Sequence, residues 1–159
     1  MQITIIAVGK VKEQFFRAAI DEYSKRLSRY CKLKIIELPD EKTPDNASPK
    51  EEEAILLKEG NRILDAVNDD SYVFALAIEG GKCDSVEFAG KLNSLAVGGK
   101  SNITFIIGGS LGLHPEVKKR ADNLFSFSDM TFPHQLMRVI LLEQIYRAYR
   151  IINNEPYHK

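Results

Sequence analysis

Apolar residues fall into two kinds of stretch that alternate along the chain. Short, β-branched runs predict buried strands, at Met1 to Val8, Lys32 to Leu38, Ser71 to Ile78, Asn102 to Ile107 and Leu124 to Phe127. Apolar residues at helical spacing lie between these runs and predict helices, at Lys10 to Tyr30, from Pro49 through Val67, from about Asp84 to Val97, from His114 onward and from Pro133 to Asn153. This alternation predicts an α/β fold, a mostly parallel sheet with helices on both faces.

Two helix starts carry clear signals. Ser48-Pro49-Lys50-Glu51 has the form of a capping box with proline at the first helical position, and Asp84 to Glu87 has capping residues at the same spacing. The segment before the first of them, Pro39 to Pro49, is polar, contains three prolines and predicts a surface loop. The 159 residues contain no repeat or linker, so we predict a single domain over residues 1–159.

The last predicted helix is apolar on more than one face. Leu136, Val139 and Ile140 add to a row that continues through Leu142 and Ile145. Such a helix needs more than one partner. One side can pack on the sheet, and the other is a candidate surface for self-association.

Charge is balanced overall, because 22 lysines and arginines match 22 aspartates and glutamates. The chain therefore has no global charge to attract nucleic acid or an anionic membrane. Locally, Lys10 to Lys34 holds eight basic and three acidic residues. This first helix either faces phosphates or is a solvated helix with salt-bridged neighbours.

The cysteine pattern and the start of the chain point to a reducing compartment. Cys31 and Cys83 lie far apart and lack metal-binding spacing, so neither a disulfide nor a zinc site is expected. The apolar run at the N-terminus is too short for a signal peptide, and no stretch approaches a membrane span. We expect a soluble, cytoplasmic protein with no membrane association.

Two strands end in glycines. Gly108, Gly109 and Gly112 follow the Asn102 strand, and Gly80-Gly81 follow the Ser71 strand. Each end can be a tight turn, or a place where a ligand approaches the backbone. The ends Leu76 to Gly81, Gly108 to Gly112 and Phe127 to Phe132 should meet at one sheet edge and form a pocket of backbone amides and carbonyls.

That pocket suits an adenosine-like ligand better than a bare phosphate. No G-x-G-x-x-G fingerprint follows the first strand, which disfavours a dinucleotide enzyme using NAD. The G-G-K-S at Gly98 to Ser101 follows a helix and opens a strand, so its context excludes a phosphate-binding P-loop.

Basic side chains near the pocket are candidates for chemistry. Arg138 follows His134 by one turn in an otherwise apolar helix, and burying it unpaired would be costly. Its partner is either a phosphate or substrate, or a carboxylate, Asp129 or Glu143. The three histidines, His114, His134 and His158, lack metal-ligand spacing, and no metal is expected.

Three motifs in this order resemble the RlmH family, SPOUT-class methyltransferases that act on large-subunit ribosomal RNA. They are F-I-I-G-G-S-L-G-L at 105–113, S-F-S-D-M-T-F-P-H-Q-L-M-R-V-I-L-L-E-Q-I-Y-R-A at 126–148 and E-P-Y-H-K at 155–159, with V-G-K near the start. The resemblance implies S-adenosylmethionine as methyl donor and N3-methylation of a pseudouridine in 23S ribosomal RNA of the assembled ribosome. It also implies an α/β knot and a homodimer in which the partner completes the site.

The resemblance also assigns site residues. The cofactor positions it implies are Leu76, Gly108, Phe127, Ser128, Asp129, Met130, Thr131 and Phe132. For catalysis we expect Arg138 to hold the nucleotide or stabilise its anion, and Tyr157 and His158 to orient or deprotonate the base. The alternative for Tyr157 and His158 is a disordered terminus.

This sequence departs from the family pattern in one place, and one competing function remains. Many relatives have a proline and an acidic residue where this chain has Ser110 and Leu111, so no carboxylate role is expected in the glycine-rich segment. The competing function is a non-catalytic, dimeric RNA- or ribosome-binding protein that retains a nucleotide pocket.

Overall fold

A computed structural model describes all 159 residues as one parallel sheet covered by helices. In chain order the elements are β1 Gln2–Val8, α1 Gln14–Leu27, β2 Lys32–Leu38, α2 Pro49–Ala66, β3 Tyr72–Gly81, α3 Ser85–Val97, β4 Asn102–Ile107, α4 Pro115–Arg120, β5 Asn123–Phe125 and α5 His134–Ile152. The strands lie in the order β2-β1-β4-β3-β5, and every pairing is parallel. The predicted α/β class is confirmed.

Helices cover both faces of the sheet because strand side chains alternate between them. Ile3, Ile5 and Phe105 belong to a core with residues of α1, α3 and α5. Ile6 and Ile106 belong to a second core with residues of α2 and α4. The central strands β1 and β4 are therefore buried on both sides, as their continuous apolar runs predict.

Both predicted capping boxes are present. The Ser48 side chain accepts from the backbone N–H of Glu51, and the Asp84 side chain accepts from that of Glu87. In each box the glutamate carboxylate accepts in return from the backbone N–H of the capping residue. These bonds satisfy amides that have no partner within the helix.

Several element ends differ from the sequence prediction, and α1 is shorter at both ends, since it stops at Leu27 rather than Tyr30. α1 begins at Gln14 rather than Lys10, because side chains of β2 and α5 hold the preceding backbone amides. β3 continues to Gly81 with a register shift, since Leu76 and Gly81 both pair with Phe125. The last strand ends at Phe125 rather than at 127.

The structure shows no group of three or more His, Cys, Asp or Glu side chains placed to hold a metal ion. Cys31 and Cys83 are both free thiols. None of the helices has the length and apolar character needed to cross a membrane.

Candidate active site

The carboxyl ends of β3, β4 and β5 meet at one edge of the sheet, where they surround an open cavity of about 740 Å³. Its walls are the end of β3, the glycine loop (residues 108–112), the segment 126–133 and the first turn of α5. The three predicted strand ends therefore do form one pocket. Its position agrees with the rule that ligands of open α/β sheets bind beyond the carboxyl ends of the strands.

The glycine loop folds back tightly on itself. Gly112 donates its backbone N–H to the Gly109 carbonyl at 3.1 Å, and Gly112 has a φ of 84°. A Cβ on Gly108 would lie 2.5 Å from the Gly112 carbonyl oxygen. Only glycine fits this position without a backbone shift, so the loop is both a tight turn and a wall of the pocket.

Hydrogen bonds between residues two positions apart shape the opposite wall. The Ser126 hydroxyl donates to the Ser128 carbonyl at 3.0 Å, and the Ser128 hydroxyl accepts from the backbone N–H of Met130 at 3.0 Å. These bonds turn the chain away from β5 at once. They are also why the last strand is shorter than its apolar pattern predicts.

Seven of the eight residues expected at the cofactor site line the cavity: Leu76, Gly108, Phe127, Ser128, Met130, Thr131 and Phe132. The eighth, Asp129, is not part of the lining. Its side chain is 83% exposed and forms an ion pair with Lys82. Within this chain, Asp129 therefore adds to the rim rather than to the wall.

Arg138 points away from this cavity. Its side chain is only 3% exposed, and its guanidinium donates to a Glu37 carboxylate oxygen at 2.7 Å. The same group donates to the carbonyls of Val8 and Gly9 at 3.2 and 2.7 Å. Burial lowers the pKa of Arg138, and the Glu37 carboxylate opposes that shift.

The prediction that Arg138 pairs with the carboxylate of Asp129 or Glu143 is therefore wrong. Asp129 pairs with Lys82, and Glu143 pairs with Arg147. The carboxylate that pairs with Arg138 is Glu37. Arg138 and Glu37 line a second, smaller cavity of about 180 Å³ under α1. Nothing places the Arg138 guanidinium inside the larger pocket, so its expected contact with substrate stays a prediction.

The C-terminal tail is fastened to α5 rather than free. The Tyr157 hydroxyl donates to Glu143 at 3.1 Å, and its ring lies 5.0 Å from that of Tyr146 between centroids. Arg147 stacks over the Tyr157 ring at 4.8 Å and donates to Nδ1 of His158 at 3.2 Å. Burial and the Glu143 carboxylate raise the pKa of Tyr157 to about 12.

Sequence reasoning considered Glu143 only as a partner of Arg138 and missed Arg147, yet these two residues organise this tail. Arg147 also bonds Glu143 at 2.6 Å, four residues earlier on the helix. Opposite charges four residues apart predict the ion pair on the helix. This spacing does not reveal that the tail, ten residues after Arg147, contacts both side chains. Tyr157 and His158 do not line the larger cavity of their own chain.

Comparison with known proteins defines the class of this fold. The family described as "Predicted SPOUT methyltransferase" matches residues 1–158. Two solved structures share the fold at low identity: a probable methyltransferase from Bordetella pertussis (TM-score 0.54, 14% identity, 92% of this chain and 93% of that one) and a probable methylase family protein from Haemophilus influenzae (TM-score 0.52, 13% identity, 99% of this chain and 70% of that one).

Curated relatives narrow the class. A protein of Clostridium perfringens named ribosomal RNA large subunit methyltransferase H is 62% identical over the full length of both chains. A protein of the same name from Bifidobacterium adolescentis is 63% identical, again over the full length of both. The chain belongs to the RlmH family of SPOUT methyltransferases.

Proposed function

We propose that this protein transfers a methyl group from S-adenosylmethionine to N3 of a pseudouridine in 23S ribosomal RNA, within the assembled ribosome of the cytoplasm. The observation that carries the proposal is the pocket at the carboxyl edge of the sheet, in a chain of the RlmH family. That family resemblance also implies the α/β knot, which stays a prediction.

The pocket suits this cofactor in size and chemistry. Its volume of about 740 Å³ lies within the usual range of small-molecule sites. Phe127, Met130 and Phe132 supply apolar surface, and the glycine loop supplies backbone groups. A sulfonium-bearing nucleoside such as S-adenosylmethionine needs both, and the sulfonium would supply an electrophilic methyl group.

The target nitrogen sets the remaining requirement. N3 of pseudouridine carries a proton that must leave as the N–CH3 bond forms and the S–CH3 bond breaks. A phenol with a pKa of about 12 keeps its proton at neutral pH, so Tyr157 suits orientation rather than deprotonation. The remaining candidate for the base is His158, whose Nδ1 accepts from Arg147 and must leave that contact before it can take the proton.

The tail residues lie outside the pocket of their own chain, which supports a role in the pocket of a second chain. We therefore include a homodimer in the proposal, with the tail of one chain completing the pocket of the other. The outer face of α5 supports this, since Leu136, Val139 and Ile140 are partly exposed and belong to neither core. An apolar stripe of this kind favours self-association.

Methyl transfer from radiolabelled S-adenosylmethionine to ribosomes that lack the modification tests the function directly. We expect label in 23S ribosomal RNA at a pseudouridine, with little transfer to free RNA. Calorimetry with S-adenosylmethionine and with NAD identifies the cofactor separately. Ribosome binding without any transfer would instead support the non-catalytic binding protein.

A second experiment addresses the expected catalytic residues. Arg138→Ala and a chain that ends before Tyr157 should each lose methyl transfer. Unfolding curves must accompany both, because Arg138 is also part of the protein interior. If both variants stay folded and retain full transfer, the proposed roles of Arg138, Tyr157 and His158 are wrong.

A further inference from the structure

The basic excess near the N-terminus is mostly free of internal partners. Of its eight basic residues, only Arg26 and Arg29 form ion pairs, with Glu22 and Glu155. The other members include five exposed lysines that form no ion pair: Lys10, Lys12, Lys25, Lys32 and Lys34. A salt-bridged helix therefore accounts for a minority of this charge.

The loop between β1 and α1, residues 10–13, presents two of these lysines on a fixed backbone. Val11 donates its N–H to Glu37 at 2.9 Å, and its carbonyl accepts from Arg17 at 2.6 Å. Lys12 donates its N–H to the Gln135 side chain at 3.0 Å. The Lys10 and Lys12 side chains remain exposed while their backbone is held in place.

This loop lies beside the pocket. Gln135, which holds Lys12, directly follows His134, and His134 lines the larger cavity. A substrate that reaches into the pocket past the first turn of α5 therefore passes close to the loop. Because the loop is already ordered, binding there costs little conformational entropy.

An exposed aromatic ring completes the patch. Phe15, in the first turn of α1, is 65% exposed. Its ring centroid lies 4.4 Å from that of Phe16, which supports it from one side. An isolated exposed apolar residue needs no explanation, but an aromatic face next to unpaired lysines is the combination that binds single-stranded nucleic acid.

We propose that Lys10, Lys12 and Phe15 form an accessory site for unpaired RNA next to the methylated nucleotide. Phe15 stacks on a base, and the two lysines contact phosphates on either side. The inference rests on the proposed function and names the part of the protein that holds its substrate. A protein partner fits less well, because lysine is depleted in the cores of protein interfaces. The loop has one carboxylate, Glu13, against Lys10 and Lys12, so residues 10–13 keep a net charge of +1.

Substitution of Phe15 tests the stacking contact. Base–aromatic stacking predicts that Phe15→Ala raises KM for ribosomes by about 5- to 150-fold. The turnover number and the affinity for S-adenosylmethionine should not change, because Phe15 does not line the pocket. Phe15→Tyr keeps the ring and should retain a KM close to that of the unmodified protein.

Removal of the lysines tests the phosphate contacts. In Lys10→Gln/Lys12→Gln the salt dependence of log KM should become shallower by about 1.4, or about 0.7 per lost phosphate contact. The matched control is Lys100→Gln/Lys119→Gln, which removes two exposed lysines that form no ion pair and lie outside the patch. This control should keep the original salt dependence.

Each outcome decides between distinct conclusions. Unchanged KM in Phe15→Ala, or equal salt slopes for the two lysine pairs, overturns the RNA site while leaving the methyltransferase intact. A change in molecular mass of Phe15→Ala by light scattering, with unchanged KM, overturns it in favour of contact with a second chain. Absence of methyl transfer by the unmodified protein refutes the proposed function itself.

Discussion

Arg138 ties three parts of the chain together through one buried guanidinium. It bonds Glu37 at the end of β2 and the carbonyls of Val8 and Gly9 at the end of β1. Arg138→Ala leaves those carbonyls without a partner and Glu37 without a counter-charge. Because the Glu37 side chain is about one-third exposed, we expect a loss of about 2–4 kcal/mol in the free energy of unfolding, measured with urea.

A surface arginine provides the control for that measurement. Arg26 pairs with Glu22 on the exposed side of α1, and Arg26→Ala should leave the urea midpoint essentially unchanged. Equal midpoints for the two variants would contradict the structural role of Arg138. If Arg138→Ala keeps its stability and loses methyl transfer, a direct catalytic role is favoured instead.

The conformation of the glycine loop requires a residue without a Cβ at position 108. In Gly108→Ala the new Cβ would lie 2.5 Å from the Gly112 carbonyl oxygen and 2.9 Å from a Leu113 methyl group. The loop must shift, so we expect weaker binding of S-adenosylmethionine in calorimetry and a stability loss of about 1–3 kcal/mol. Gly90→Ala is the control, because nothing lies within 4 Å of that position and alanine should stabilise α3 by about 0.5–1 kcal/mol.

At the level of elements, α2 supports the glycine loop from behind through Glu59. This carboxyl is 5% exposed and accepts from the backbone N–H of Glu41 at 2.9 Å. A Cβ on Gly109 would lie 3.0 Å from its other oxygen. Burial raises the pKa of Glu59, and the charges of Asp40 and Glu41 add to the shift. The hydrogen bond from the Glu41 backbone N–H and the charge of Arg62 oppose it.

The sign of this shift predicts a pH-dependent gain for Glu59→Gln. The folded state holds the proton more tightly than the unfolded state, so ionised Glu59 costs stability above its folded pKa. Glutamine can still accept from Glu41 without that cost. The variant should be more stable at about pH 8, and its advantage should shrink as the pH falls toward the ordinary glutamate value of 4.5. A gain that grows at low pH would contradict this account.

Local patterns predicted most elements, while long-range contacts decided the details. Ser48 and Asp84 each cap a helix by bonding the backbone N–H three residues later, so the local sequence predicts their role. The ion pair between Arg138 and Glu37 spans 101 positions, and no local spacing reveals it. The same holds for the start of α1, which is displaced to Gln14 by hydrogen bonds from β2 and α5.

The same division between local patterns and long-range contacts applies to the candidate pocket. Strand ends rich in glycine marked its position, because parallel strands end at one edge. The family resemblance assigned eight cofactor positions, seven of which are among its 22 lining residues. Neither could show that Tyr157 and His158 are bound to their own α5 and lie outside the pocket of their own chain.

For the whole molecule, the proposed dimer makes a quantitative prediction. A chain that ends before Tyr157 has an intact pocket and lacks the tail, whereas Gly108→Ala has the tail and a damaged pocket. At a low concentration of S-adenosylmethionine each alone should be inactive or nearly so, because Gly108→Ala binds the cofactor weakly. If the tail serves the pocket of the partner chain, refolding the two together gives mixed dimers with one working site, and about one quarter of the original activity should return.

The same mixture tests the alternative that the tail serves its own chain. No chain in the mixture carries both an intact pocket and an intact tail. Under that alternative, activity should stay at the level of the separate variants. Adding Ile140→Asp to both chains is the control, since a carboxylate on the outer face of α5 should separate the dimer. Light scattering should then report the monomer of 18.0 kDa or slightly less, and the recovered activity should disappear. Recovery that survives this substitution would place the shared contact somewhere other than the apolar stripe of α5.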